Sequence, residues 1–417
     1  MAITACALAV SSGAAGPFDR AVLHGETDKA RAIDYAPDEE IVFTLSLQGA
    51  DAFSSDEYFV RWSRTGDDGL EESGSVDAKD LPLVVRTKLG QPGFVRLTVN
   101  VYVNGVKLEG KTEKYDGGAG ADIWNMTEWA EPADFAAFWR DATNLLYTTA
   151  YTPVCTNFTP AGADSEIEYF LFDIPTFAGE RHATGILAKP LSARVGECGI
   201  VAYMNGYGFG RTSLPSASVV KQGNIVLQIA RHGEDPVNPN DAYYTDLQNG
   251  EMKNFCFRNN GGTVQETDYY KMLMRDLRAL QYAKTLPEWD GRTLKTTGGS
   301  MGGYQALSCA ALDKDVTECS VSIPWSADFS SGVKYTRMTG WRPDWTPTLD
   351  WIDLKNLAAL VRIPISFSCG LGDYICPPSG VAAFFNALPC KKRIRWMQNA
   401  EHGWTSPAPR KQVAEFP

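Results

Sequence analysis

Ser300 lies in Gly298-Gly299-Ser300-Met301-Gly302-Gly303, a G-x-S-x-G pattern with a hydroxyl between small residues. In such an elbow a strand turns sharply into a helix and lifts the serine Oγ above the sheet. The flanks fit that role. Leu294-Lys-Thr-Thr297 is a short strand-like run, and Tyr304-Gln-Ala-Leu-Ser-Cys-Ala-Ala311 reads as a helix. Glycines are needed there because side chains in so crowded a turn would clash with neighbouring backbone. The helix N-terminus would aim free N–H groups and the positive end of its dipole at an oxyanion. Lys295 and Thr296 make an unusually polar strand for a central position.

A serine hydroxyl is a weak nucleophile at its own pKa, so it needs a histidine base and an acid that orients the base. Of the four histidines (His24, His182, His232 and His402), only His402 follows Ser300. It sits in the polar loop Asn399–Trp404, just after the strand-like run Arg393–Met397. The order serine, acid, histidine is that of the α/β-hydrolase layout. Asp373 supplies the acid: Ile363–Cys369 reads as a strand and runs into Gly370-Leu-Gly-Asp-Tyr-Ile-Cys-Pro-Pro378. That places the carboxylate at the carboxyl end of a strand, where α/β sheets build their sites. Asp350 and Asp353 are rival acids, expected at the surface of a helix beginning near Leu354. Cys376 raises a cysteine mechanism, but it has no histidine of its own and reads as packed beneath the loop. The oxyanion hole needs two backbone donors. One is the N–H of Met301. The other comes from Asn205-Gly-Tyr-Gly-Phe-Gly210, with Tyr207 preferred and Gly208 the nearest alternative. The glycines of that loop do not have phosphate-loop spacing.

These groups call for no metal or organic cofactor. None of the nine cysteines forms a CxxC pair, and four histidines are poor material for a zinc site. Most of the cysteines are expected to act as small buried hydrophobes.

The elements that must position these groups come from a chain of 417 residues, enough for two or three domains. Hydrophobic residues at 44% and charged residues at 21% exclude wholesale disorder. A net charge of −11 argues against a nucleic-acid binder or a protein docked on anionic membrane. No run of about 20 apolar residues is present to span a bilayer. Residues 1–16 contain the apolar run Ala2–Val10 and the small residues Ser12-Gly13-Ala14, which read as a truncated signal segment and favour a secreted or periplasmic protein. Residues 17–118 show short alternating runs such as Ile41–Leu47 and Phe94–Val103 between turn clusters, predicting an immunoglobulin-like β-sandwich. Tyr58 and Trp62 are read there as core positions rather than a sugar-stacking surface. The glycine-rich Asp116–Asp122 suggests a linker, drawn at 119–126. From 127 to 417 strand and helix patterns alternate, predicting an α/β domain with a mostly parallel sheet. Phe135, Phe138, Trp139 and Ala142 recur at helical spacing on one buried face, and Glu266–Leu286 reads as a long amphipathic helix.

With the residues in place, 127–417 resembles the acetyl xylan esterase/cephalosporin-C deacetylase family, carbohydrate esterase family seven. The resemblance rests on Pro132-Ala-Asp-Phe-Ala-Ala-Phe-Trp139, Asn205-Gly-Tyr-Gly208, Arg231-His-Gly233, Leu286-Pro-Glu-Trp-Asp290, Leu349–Ala358 and above all the acid-bearing loop Gly370–Pro378. It implies an α/β-hydrolase fold, with Ser300, Asp373 and His402 as triad and Tyr207 as an oxyanion amide. It further implies removal of acetyl groups from carbohydrates and a homo-oligomer of ring-like hexamer type. The sequence departs from the family pattern at Met301, where glutamine is usual, and at Gly403-Trp404, where Glu-Gly is usual. A uronoyl-ester esterase, a peptidase, or a polysaccharide-binding protein with a degenerate hydrolase domain are the alternative readings.

Overall fold

The computed structural model describes residues 22–48, 58–110, 113–126, 131–405 and 412–415. The segment 1–16, read as a signal remnant, lies outside the described residues.

The N-terminal part is all β. Its strands are β1 (Val22–Thr27), β2 (Ile41–Gln48), β3 (Tyr58–Gly66), β4 (Glu72–Asp77), β5 (Leu83–Thr87), β6 (Gly93–Val103), β7 (Val106–Lys107) and β8 (Lys114–Ala121). They form two antiparallel sheets, one ordered β1-β2-β5 and one ordered β4-β3-β6-β7 with β8 also paired to β6. Period-two patterning explains the core: Ile41, Phe43 and Leu45 of β2 are buried, as are Phe94, Val95, Leu97, Val99 and Val101 of β6. Tyr58 and Trp62 are partly buried and pack against that core.

The glycine-rich segment expected as a linker is instead strand β8. It pairs with β6 along its whole length, from Asn100↔Lys114 to Gly93↔Ala121, and Asp116 to Ala121 are buried. Close approach, not flexibility, explains its glycines. A Cβ on Gly118 would lie 2.6 Å from the carbonyl oxygens of both Val95 and Leu371, so no larger residue fits between β6 and the C-terminal loops.

The remaining chain supplies α1 (Phe135–Thr148), β9 (Val154–Phe158), β10 (Ile167–Ile174), β11 (Ala183–Pro190), β12 (Cys198–Met204), α2 (Ala217–Val220), β13 (Asn224–Ile229), α3 (Asp241–Asn249) and α4 (Asp268–Ala283). After these come β14 (Trp289–Gly299), α5 (Met301–Leu312), β15 (Glu318–Ser322), α6 (Ser331–Tyr335), α7 (Leu354–Leu357), β16 (Ile365–Gly370), α8 (Pro378–Ala387), β17 (Lys392–Met397), β18 (Ala400–Glu401), β19 (Trp404–Thr405) and β20 (Gln412–Glu415). The large sheet runs β20-β17-β16-β15-β14-β12-β13-β11-β10-β9. Its centre, from β13 through β12, β14, β15 and β16 to β17, is parallel throughout. Buried runs such as Ile200, Ala202 and Met204 on β12 fit a sheet covered on both faces. On α1, Phe135, Trp139, Ala142 and Leu146 face the core.

The polar strand β14 sits in the middle of this sheet because Lys295, Thr296 and Thr297 each find a partner. Thr296 Oγ1 donates to Ala306 O at 3.0 Å, Thr297 Oγ1 to Ser320 O at 2.7 Å, and Lys295 pairs with Glu318 at 2.8 Å. Satisfied hydroxyls cost little to bury. Among the described residues no helix is long and apolar enough to cross a membrane.

Candidate active site

β14 ends at Gly299 and α5 begins at Met301, so Ser300 is the hinge between them, with φ 57° and ψ −125°. A non-glycine residue at such angles is strained and persists only when its surroundings hold it. Three backbone bonds of 3.1 Å do so here: Ser300 N–H to Ser322 O, and the N–H groups of Tyr304 and Trp325 to Ser300 O. The glycines make room. A Cβ on Gly302 would lie 2.1 Å from Met204 O, and one on Gly298 2.5 Å from the Gly302 carbonyl carbon. Gly302→Ala is therefore expected to push β12 and α5 apart and cost about 3 kcal/mol or more, the upper end of overpacking. A fall in the urea midpoint, or loss of soluble protein, would report it.

His402 and Gly403 form the turn between β18 and β19. His402 Nδ1 lies 3.0 Å from Asp373 Oδ2. The other carboxylate oxygen, Oδ1, accepts the N–H groups of Ile375 at 2.9 Å and Cys376 at 2.8 Å. The Asp373 side chain is fully buried, whereas the His402 ring is about one-fifth exposed. A carboxylate so fixed accepts Nδ1–H and leaves the Nε2 lone pair free to receive a proton. Ser300 and His402 share no hydrogen bond in this structure. The Ser300 hydroxyl instead faces the Cys376 thiol, and unliganded sites often leave the nucleophile–base contact loose.

Asp373, Cys376 and His402 bring a carboxylate oxygen, a sulfur and a ring nitrogen within 4.8 Å of one another. Burial, reinforced by Asp373, pushes the Cys376 thiol well above its ordinary range, so it is not a ready nucleophile. The rival acids are buried, contrary to the expectation of a surface helix. Asp353 caps α7 and accepts the N–H groups of Asp328 at 2.8 Å, Phe329 at 2.6 Å and Lys355 at 2.9 Å; burial, opposed by Lys355, raises it to about 6. Asp350 accepts Trp345 Nε1–H at 2.8 Å. Both are engaged in shaping that segment, and Asp373 is the acid that meets His402.

Asn205–Gly210 follows β12 and runs past the elbow: a Cβ on Gly206 would stand 4.0 Å from Ser300 Cβ. Arg231 Nε donates to Gly206 O at 2.7 Å, and His232 Nε2 lies 3.1 Å from Gly208 O. A trans peptide points its C=O and N–H in opposite directions. Fixing Gly206 O on Arg231 therefore turns the Tyr207 N–H away from Arg231. Among the described residues neither the Tyr207 nor the Met301 N–H has an acceptor, and Met301, first in α5, has none within its helix. Burial, with Arg275 adding, holds His232 well below the ordinary imidazole range, so it is neutral. Arg231→Met is expected to free the Gly206 peptide and lower kcat by about 10–100-fold, a fraction of losing an oxyanion donor outright; steady-state kinetics on an aryl acetate would measure it.

An aromatic wall adjoins the elbow. Trp325, whose N–H binds Ser300 O, stacks on Trp341 with centroids 5.4 Å apart, and Tyr207 and Phe257 each meet Trp341 at 4.8 Å. Sequence reading did not single out Trp325, Trp341 or Phe257. Arg231 entered only through a family motif. Chain order alone carries no mark that brings these groups to Ser300.

The sequence model of the acetyl xylan esterase family matches residues 125–341 and 342–417, the span that holds Ser300, Asp373, His402, Tyr207 and Met301. The chain belongs to the acetyl xylan esterase family. Acetyl esterase Axe7A of Xylanibacter ruminicola is 28% identical over 295 residues, covering 66% of this chain and 64% of that protein. The chain thus spans somewhat under two thirds of the curated relative it matches. Among solved structures, an acetyl xylan esterase from a Paenibacillus species superposes with a TM-score of 0.57 at 21% identity, over 67% of this chain and 93% of that one. Acetyl xylan esterase 1 from a Thermoanaerobacterium species gives a TM-score of 0.55 at 19% identity, over 67% and 92%. These likenesses identify an α/β-hydrolase type of fold. The N-terminal sheets, residues 22 to 121, fall before the stretch that the family model matches.

Proposed function

We propose that this member of the acetyl xylan esterase family is a serine esterase that removes O-acetyl groups from xylan or xylo-oligosaccharides through an acyl-enzyme on Ser300. The observation that carries this reading is the fixed Asp373–His402 pair beside a strained serine elbow, within a chain of that family. His402, oriented by Asp373, takes the Ser300 proton as Oγ attacks the ester carbonyl. The N–H groups of Tyr207 and Met301 receive the oxyanion of the tetrahedral intermediate. His402 returns the proton to the departing sugar hydroxyl, and water then repeats the cycle to release acetate. Every proton and developing charge in this sequence has a protein group to receive it. The aromatic wall of Trp325, Trp341 and Tyr207 would confine the acyl side to a small group, which favours acetyl over bulky acids.

The same proposal treats the two N-terminal antiparallel sheets as an immunoglobulin-like β-sandwich domain extended to Ala121, with the catalytic domain following from 127. It also takes the protein to be exported, supported by the apolar run Ala2–Val10. Acetate release from acetylated xylo-oligosaccharides, with Ser300→Ala as the blank, tests the function. Release that vanishes in the variant is the expected result. No release despite turnover of an aryl acetate would discard xylan as substrate, and equal release by the variant would discard the mechanism.

A further inference from the structure

We propose that the N-terminal β module is a working part of the catalytic centre: Arg96, Asp116 and Lys114 are positioning residues that hold the loops carrying Asp373 and His402. The inference rests on the reading of those two residues as acid and base. It goes beyond that reading because all three clasp residues precede the part of the chain that matches the family.

Two loops leave the C-terminal ends of β16 and β17, and β8 lies against both. Arg96 on β6 donates from Nε to Gly372 O at 2.9 Å, one residue before Asp373, and from Nη2 to Asp116 Oδ1 at 2.5 Å. Thr98 Oγ1 donates to the same carboxylate oxygen at 3.1 Å. The Asp116 N–H donates to Asn399 Oδ1 at 3.1 Å. Gln398 lies along the backbone of Gly118 as another strand would, accepting its N–H at 2.9 Å and donating to its carbonyl at 2.7 Å. Lys114 pairs with Glu401, the residue before His402, with both side chains mostly shielded from water. The paired strands β6 and β8 thus hold the residue before the candidate acid and the residues before the candidate base.

The fit leaves no slack. A Cβ on Gly372 would fall 2.3 Å from Asp116 O, and one on Gly118 2.6 Å from Leu371 O. The segments meet backbone to backbone, which only glycines permit. His402 occupies a turn between two-residue strands, an element with few bonds of its own. Buried, hydrogen-bonded attachments of this kind set loop geometry closely, and a displacement of about 1 Å at a reacting group can cost about 10²-fold in rate. Asn386 ties the chain just past β8 to the far end of α8: its Nδ2 donates to Ile123 O at 2.8 Å, away from the two triad loops.

The test compares full-length variants on an aryl acetate. Arg96→Gln combined with Asp116→Asn removes the pair without stranding a buried charge. Arg96→Lys keeps the charge but loses the geometry that spans Asp116 and Gly372 O, and it stands in should the double variant fail to fold. Asn386→Ala loosens the interface away from the loops, and Asp373→Asn reports on the triad itself. The double variant is expected to lose about 10–100-fold in kcat with KM within about threefold. Its downfield proton resonance from His402 Nδ1–H should broaden or shift. Arg96→Lys should show a smaller loss of the same kind, and Asn386→Ala should lower Tm without the kcat loss. Unchanged kcat in folded double and Arg96→Lys variants would overturn the inference. So would a rise in KM alone, or an equal kcat loss in Asn386→Ala. Full activity in Asp373→Asn would instead overturn the triad on which the inference stands.

Discussion

Ser300→Ala is expected to lower kcat on acetyl esters by about 10⁶-fold, the scale on which loss of a serine nucleophile disables a triad. The substitution keeps Cβ and the backbone bonds to Ser322, Tyr304 and Trp325, so the fold should survive and Tm should move by no more than a few degrees. No neighbour can take over. The Cys376 thiol faces Ser300, yet burial and Asp373 hold it protonated, and a neutral thiol is a poor nucleophile. What remains is water activated by His402 with the oxyanion donors intact. Steady-state turnover of an aryl acetate, with an active-site titration to exclude traces of wild type, measures the loss. A variant within tenfold of wild type would remove Ser300 from the mechanism.

Asp373→Asn should cost about 10⁴-fold in kcat with little change in KM, and the reason lies in the orientation of the new amide. Asp373 Oδ1 accepts two backbone N–H groups, from Ile375 and Cys376. In the variant the amide oxygen must stay on that side, because an NH₂ there would face two donors. The NH₂ therefore points at His402 Nδ1, which can meet it only as an acceptor. The imidazole proton is forced onto Nε2, and the base loses the lone pair that Ser300 needs. Volume and burial are conserved, so thermal stability should change little. A loss of tenfold or less would show that Asp373 does not set the tautomer. A large rise in KM instead of a fall in kcat would assign it to substrate binding.

The candidate triad was legible because chain order constrains it so tightly. One histidine follows Ser300, and Asp373 sits where a strand pattern ends. The alternating runs of β2 and β6 and the helical spacing of α1 were legible for a related reason, since each is a local pattern set by burial. The errors share a different physics. Glycines at 117, 118 and 120 suit a flexible linker and a close backbone approach equally, and only the partner strand β6 and the Leu371 carbonyl decide between them. Asp350 and Asp353 looked exposed because charge usually is. The burial of Asp353 depends on the N–H groups of Asp328 and Phe329, which come from another segment, and that of Asp350 on the nearby Trp345 indole. Lys295 and Thr296 looked wrong for a central strand until Glu318 and Ala306 O were in place. The bond from Arg96 to Gly372 spans 276 residues of chain, and no local pattern encodes it.

The proposed mechanism turns on a covalent acetyl intermediate on Ser300. Rapid acid quench during turnover of an acetyl ester, followed by proteolysis and mass spectrometry, observes it directly. The peptide that carries Ser300 should gain one acetyl group, accumulating with the burst of released alcohol and absent from Ser300→Ala. Acetyl found on Cys376, or a burst-free turnover with every peptide unmodified, would contradict it.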